Sequence, residues 1–171
     1  MTGRSCRLVE AVLVWLLLLA IDAGLLWVSG AFQGELGVNS DEPAHYVTGL
    51  MVRDYVAAGA PSAPMRYAED YYLHYPKVAL GHFPPFFYVV EAAWMLIFPV
   101  SKASVLVLLA ALTALTATLL YFVVRMEFGR LAGIAAGSVM IAIPLIRRLS
   151  GVVMAEALTL PLAFGAAICY G

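Results

Sequence analysis

Residues 8–28 form an apolar run broken only by Glu10 and Asp22. About 20 apolar residues suffice to cross a bilayer, so this run is long enough. Inside hydrocarbon a chain must satisfy its own backbone polar groups, which leaves the helix as the conformation for a single such segment. Arg4 and Arg7 stand just before it. A secretory signal peptide also has a basic start, but this run is too long for its apolar middle and carries no small-residue cleavage site. The run is therefore read as a retained anchor, with a cytoplasmic N-terminus and an extracytoplasmic first loop. Composition extends the argument to the whole chain. Hydrophobic residues make up 63% and charged residues 12%, against about 25% charged in soluble domains. With a formal net charge of −1, nothing points to nucleic acid as a partner. Cys6 and Cys169 stand at opposite ends of the chain and suggest neither a disulfide framework nor a metal site. The fold class expected is an all-α polytopic protein of the cell membrane with about four transmembrane helices, residues 1–171 forming one membrane domain.

Residues 29–85 are expected to form a long external loop holding an amphipathic helix at 40–58. Asn39 suits an N-cap and Glu42 follows three residues later, as in a capping box. Pro43 fits a first helical turn. Val47, Leu50, Met51 and Tyr55 then recur at helical spacing, and Gly59, Pro61 and Pro64 stop the helix. Such a helix fits along the outer membrane surface. Residues 67–77 are rich in tyrosine, which suits the membrane interface. Pro84 and Pro85 open the apolar segment 86–100, which is short for a crossing and contains Glu91. Read as re-entrant rather than spanning, it puts Arg125 and Arg130 in the cytoplasm, as the positive-inside rule prefers. Segments 103–124, 131–146 and 152–170 are read as transmembrane, with a tight turn at 126–130 and Pro144 ending the second. The last apolar run reaches Gly171 without a polar stop. That fits the N-terminal portion of a longer enzyme.

Asp41 and Glu42 are the candidate catalytic acids. A carboxylate pair at a helix start can accept a proton, and it also complements the helix dipole. His45 stands four residues after Asp41 and so on the same helix face. In the re-entrant topology Glu156 faces the same compartment and joins them as a third catalytic acid. His45, Lys77, His82, Arg147 and Arg148 are the candidate phosphate-binding residues, guanidinium groups suiting bidentate phosphate recognition. Nothing in the ligand spacing is diagnostic of a protein metal cage; no cofactor is required, and a divalent cation shared with a substrate phosphate is the one the residues leave open. Asp22 is an intramembrane carboxylate, functional by default or lying at the interface. Glu91 is expected to pair with a basic residue.

The order of motifs resembles the GT-C fold membrane glycosyltransferases that use polyprenyl-phosphate sugars. That group contains the protein O-mannosyltransferases and the lipid A aminoarabinose transferases. The motifs are SDEPAHY at residues 40–46 after one anchor, GHFPPFFY at 81–88, RMEFGR at 125–130 and MAEAL at 154–158. The resemblance covers the N-terminal part of that architecture. It implies inverting transfer of a hexosyl or pentosyl group from a polyprenyl-phosphate-linked sugar to a protein or glycolipid acceptor, at the outer face of the lipid bilayer. The first-loop Asp of that family corresponds to Asp41, as the base that deprotonates the acceptor. Its second acidic position corresponds to Glu156, where many relatives carry Asp. Protein glycosylation or cell-envelope modification would be the setting.

Two other readings fit a chain of this composition. A transporter would use Asp22, Glu91 and Glu156 as a polar path, though transporters bind substrate near the bilayer midplane. A non-catalytic membrane assembly subunit would use none of them.

Overall fold

The computed structural model describes residues 3–79 and 81–170. All regular structure among them is helical. The apolar run becomes α1 (Gly3–Val28). The elements after it are α2 (Glu42–Ala57), α3 (Pro64–His74), α4 (Phe86–Ile97), α5 (Lys102–Phe128), α6 (Arg130–Ala142), α7 (Pro144–Ser150) and α8 (Glu156–Tyr170). Two helices are long and apolar enough to cross a membrane, Ser5–Val28 and Lys102–Phe128. At 1.5 Å per residue they measure roughly 36 and 40 Å. α6 and α7 together make a third if taken as one broken span, bent by 72°. α4 and α8 are shorter apolar helices. The Arg4 side chain lies outside the described part.

The chain divides into two compact units, where one membrane domain was expected. The first holds α1, α5 from Leu109 onward, α6, α7 and α8. Its core is built from Val14 and Leu18 of α1, Ala114, Ala117 and Tyr121 of α5, and Ile141 of α6. Trp15 fixes the register by donating its indole N–H to the Ala111 carbonyl (3.0 Å). Small residues let the helices approach. A Cβ on Gly133 would stand 2.7 Å from Tyr121 Cδ2 and 2.8 Å from the Tyr121 carbonyl oxygen. One on Gly137 would meet the Ala117 carbonyl at 3.2 Å. This spacing of two glycines four apart is a recurrent device for close helix contact in membranes. Gly133→Ala is therefore expected to lower stability by about 1–3 kcal/mol through overpacking. Thermal unfolding of the detergent-purified protein measures it, and an unchanged midpoint would refute the close approach.

Two expectations for this unit change. The turn expected at 126–130 is confined to Gly129, because α5 continues to Phe128 and Gly129 takes the left-handed region at φ +85°. Pro144 ends the helix, as expected, but the segment 131–146 is not one straight helix. The proline ring and missing N–H stop α6 at Ala142 and start a new helix in another direction.

The second unit holds residues 33–108 and 152–155. α2 is its centre. One side meets α3 and the following segment through Met51, Ala68 and Val78, flanked by Val47, Val52, Tyr67 and Tyr71. Another side meets α4, whose Phe87, Tyr88, Glu91, Ala92 and Met95 are buried. α2 is thus packed between protein elements, where an amphipathic surface helix was expected. α3 arises from a stretch expected only to be interfacial. A tyrosine ladder runs from α2 along α3, with ring centroids 5.1 Å apart for Tyr55 and Tyr67, 5.9 Å for Tyr67 and Tyr71, and 4.8 Å for Tyr71 and Tyr75 at its end.

Candidate functional site

Asp41 is the N-cap of α2, exposed and without a side-chain bond to its own helix. The turn before it is held by Asn39, whose Oδ1 accepts the Asp41 N–H (3.2 Å). The capping box expected between Asn39 and Glu42 does not form; the cap lies two residues later. Ser40 approaches Asp41 Oδ1 with its hydroxyl (3.2 Å). Asp41 and Ser40 line a cleft of about 550 Å³, together with Ala44, Tyr72, Lys77, His82 and Phe83.

The opposite wall of this cleft is pinned to α2 by two anchors. Val78 is buried in the core beneath α2. The Ala79 N–H donates to Thr48 Oγ1 (2.9 Å), and that hydroxyl donates to the Ala44 carbonyl (2.6 Å). Lys77 is held just before these anchors and remains exposed. Gly81, at φ +72°, makes the turn that presents His82. Phe83 packs at a tilt against His45, with ring centroids 4.5 Å apart. Tyr72 of α3 completes the aromatic lining, while Tyr71 turns away to donate to Asp54 Oδ2 (3.0 Å). Burial, then that bond to Asp54, push the Tyr71 phenol well up.

Glu42 and His45 lie beneath the site rather than in it. Glu42 is 0% exposed. Its Oε2 accepts the N–H groups of Gly37 (2.9 Å) and Val38 (3.2 Å). Its Oε1 accepts the Val153 N–H (3.3 Å) and pairs with Lys102 Nζ (3.1 Å). Lys102 also donates to the Glu35 carbonyl (2.7 Å). Glu42 therefore ties four segments of the unit together, where a second catalytic acid beside Asp41 was expected. His45, expected at a phosphate, is 1% exposed, packed against Phe83, Phe87 and Tyr88. Its Nδ1 shares a hydrogen bond with the Tyr88 hydroxyl (3.0 Å). Its ring is part of the buried aromatic layer beneath the cleft rather than of the cleft lining.

Glu91 is also 0% exposed, and neither carboxyl oxygen has a hydrogen-bond partner among the described residues. The basic partner expected for it is not found there. Its carboxyl lies over Gly49 of α2, and a Cβ at that glycine would overlap it. Burial raises the Glu91 carboxyl well above the ordinary value of 4.5. Burial, and then the Glu91 charge, push the Tyr46 phenol up. A raised acid holds its proton in the folded protein after the unfolded chain has lost its own. Stability tied to Glu91 is thus fully present below the ordinary carboxylate value and falls as pH rises above it. Thermal midpoints should decline from pH 5 upward in the wild type and decline less in Glu91→Gln. Identical pH profiles for the two proteins would contradict this.

The remaining predicted residues belong to the first unit. Arg147 and Arg148 lie in α7, half-buried and exposed respectively. Glu156 opens α8 and is exposed. Asp22 is 0% exposed and accepts from the Ser150 hydroxyl at Oδ1 (3.2 Å), with the Arg147 charge acting on it. Glu10 pairs with Arg125 (2.9 Å) and Arg130 (3.1 Å) and accepts from the Tyr121 hydroxyl (2.6 Å).

The cleft thus brings Asp41, Lys77 and His82 to one surface. Thr48 was not among the expected functional residues. Its signal is faint, a small hydroxyl one turn after His45 on a helix that also buries Glu42 and His45. No group of three His, Cys, Asp or Glu side chains among the described residues could hold a metal ion. Comparison with known family models, curated proteins and solved structures finds no match.

Proposed function

We propose that this chain is a membrane glycosyltransferase of the GT-C type. It would move a sugar from a polyprenyl-phosphate carrier to a protein or glycolipid hydroxyl at the extracytoplasmic face. The observation that carries this reading is the cleft lined by an exposed carboxylate, two basic side chains and two aromatic rings. Asp41 accepts the proton of the acceptor hydroxyl as its oxygen attacks the anomeric carbon. The bond from that carbon to the phosphate oxygen breaks, and its electron pair leaves with the polyprenyl phosphate. Attack from the face opposite the phosphate inverts the centre. Lys77 and His82 hold the phosphate, and Tyr72 and Phe83 stack against the sugar. The leaving group is already an anion, so no strong general acid is needed. A divalent cation, if used, would arrive with the phosphate; no step here depends on it.

The topology proposed has α1 leaving the cytoplasm and α5 returning to it. Its support is that Arg7 and Arg125 line one pocket at one end of the first unit, as expected for a cytoplasmic end. A count of four spans further requires α6 with α7, and α8, to serve as crossings. α4, at about 18 Å, is too short to cross alone. Arg147 and Arg148 remain candidate contacts for lipid phosphate, and Glu156 the candidate second acid.

The test is transfer of label from a polyprenyl-phosphate sugar in membranes carrying the full-length protein. Label must pass to protein or lipid in the wild type and fail to pass in Asp41→Asn. Well-folded wild type and variant with equal transfer, or no transfer by either from any such donor, would end this reading.

A further inference from the structure

At the end of the first unit where α1 begins, a separate pocket of about 390 Å³ is lined by Arg7, Phe122, Arg125 and Met126. Among the described residues, two guanidinium groups and no carboxylate line it. Arg125 is held in place: one of its nitrogens pairs with Glu10 at 2.9 Å, and its guanidinium carbon lies 5.8 Å from the Phe122 ring centre and 6.0 Å from that of Tyr121. Glu10 is shared with Arg130 and the Tyr121 hydroxyl, so its charge is already spread over three donors. Arg7 is exposed and forms no ion pair among the described residues. Beside these cations the lining is apolar, and Met126 is 83% exposed. Around it, the outward surface of α1 is hydrocarbon-like, with Leu8, Val9, Val12 and Leu13 all exposed.

A cavity lined by two cations and by apolar side chains, on helices of spanning length, has the chemistry of an anionic amphiphile's headgroup site. Basic pockets between transmembrane helices hold anionic headgroups in this way. Guanidinium forks match phosphate oxygens, and the hydrocarbon faces beside them accept acyl chains. We infer that the Arg7–Arg125 pocket binds the phosphate headgroup of an anionic phospholipid, seated between α1 and α5. The site is separate from the cleft around Asp41 and does not depend on the proposed transfer reaction.

The experiment uses the full chain purified in detergent. Short-chain phosphatidylglycerol, short-chain phosphatidylcholine and inorganic phosphate are titrated while retained lipid is counted by native mass spectrometry and thermal midpoint is followed. Phosphatidylglycerol should bind more tightly than phosphatidylcholine and raise the midpoint. Arg7→Gln should weaken phosphatidylglycerol binding about fivefold, the worth of one cation at an anionic surface. Met126→Trp, which fills the pocket and keeps both charges, should weaken it as well. Arg66→Gln, on α3 in the other unit, should leave it unchanged. The inference is overturned if the two lipids bind alike, if phosphatidylglycerol binding survives both pocket variants, or if free phosphate raises the midpoint as much as the lipid does.

Discussion

Asp41→Asn should reduce sugar transfer by about 100- to 10,000-fold, the usual worth of a positioned general base. Asparagine preserves the size of the side chain and its acceptance from Ser40, but it cannot take a proton from the acceptor. Asp41 is exposed and makes no side-chain bond to α2, so the variant should fold as the wild type does. The loss should fall on kcat, with the donor KM little changed, because Lys77 and His82 remain in place. Lys77→Gln should show the reverse emphasis and raise the donor KM. A fall in KM-dependent binding alone in Asp41→Asn would make Asp41 a binding residue and remove it as the base.

Glu42→Ala should cost about 3–5 kcal/mol of stability, the usual penalty for stranding one member of a buried ion pair. Lys102 has a side-chain exposure of only 11% and would lose its carboxylate. Three backbone N–H groups, of Gly37, Val38 and Val153, would lose their acceptor at the same time. Pairing the change with Lys102→Met should recover part of the loss by removing the stranded charge. Thermal unfolding in detergent gives both numbers. A midpoint for Glu42→Ala within a degree of the wild type would mean that the buried pair is not the tie described. Activity alone would not distinguish the two acids, since either variant would lose it; folding does.

The long helices were legible because nothing interrupts them. α1 and α5 each contain more than 20 residues without Pro or a helix-ending Gly, and their ends fell near the expected positions. α4 was legible from Pro84 and Pro85, which bar a helix before them. α3 was not, because its inward positions are Ala68, Tyr67 and Tyr71 rather than a leucine stripe, and tyrosine also suits a membrane interface. Asp41, Lys77 and His82 were named from the sequence, and they meet in one cleft. The division of labour between Asp41 and Glu42 could not be read. Adjacent residues at a helix start point in different directions, and the deciding partner, Lys102, is 60 residues away. The same holds for His45. Its spacing from Asp41 is helical, but Phe83 covers it, and that contact depends on the turn at Gly81.

The wall carrying Lys77 is fastened by one hydroxyl and one small apolar side chain. A hydrogen bond such as the one from Ala79 to Thr48 is worth about 1 kcal/mol net, and burying a valine about 1.5–3 kcal/mol. Detaching this strip therefore costs only a few kcal/mol, well below the cost of unfolding a whole domain. Local opening of this strip is expected more often than global unfolding. In the proposed transfer, such an opening would admit a bulky acceptor without a ready-made doorway, and reclosing would return Lys77 to the cleft that Asp41 lines.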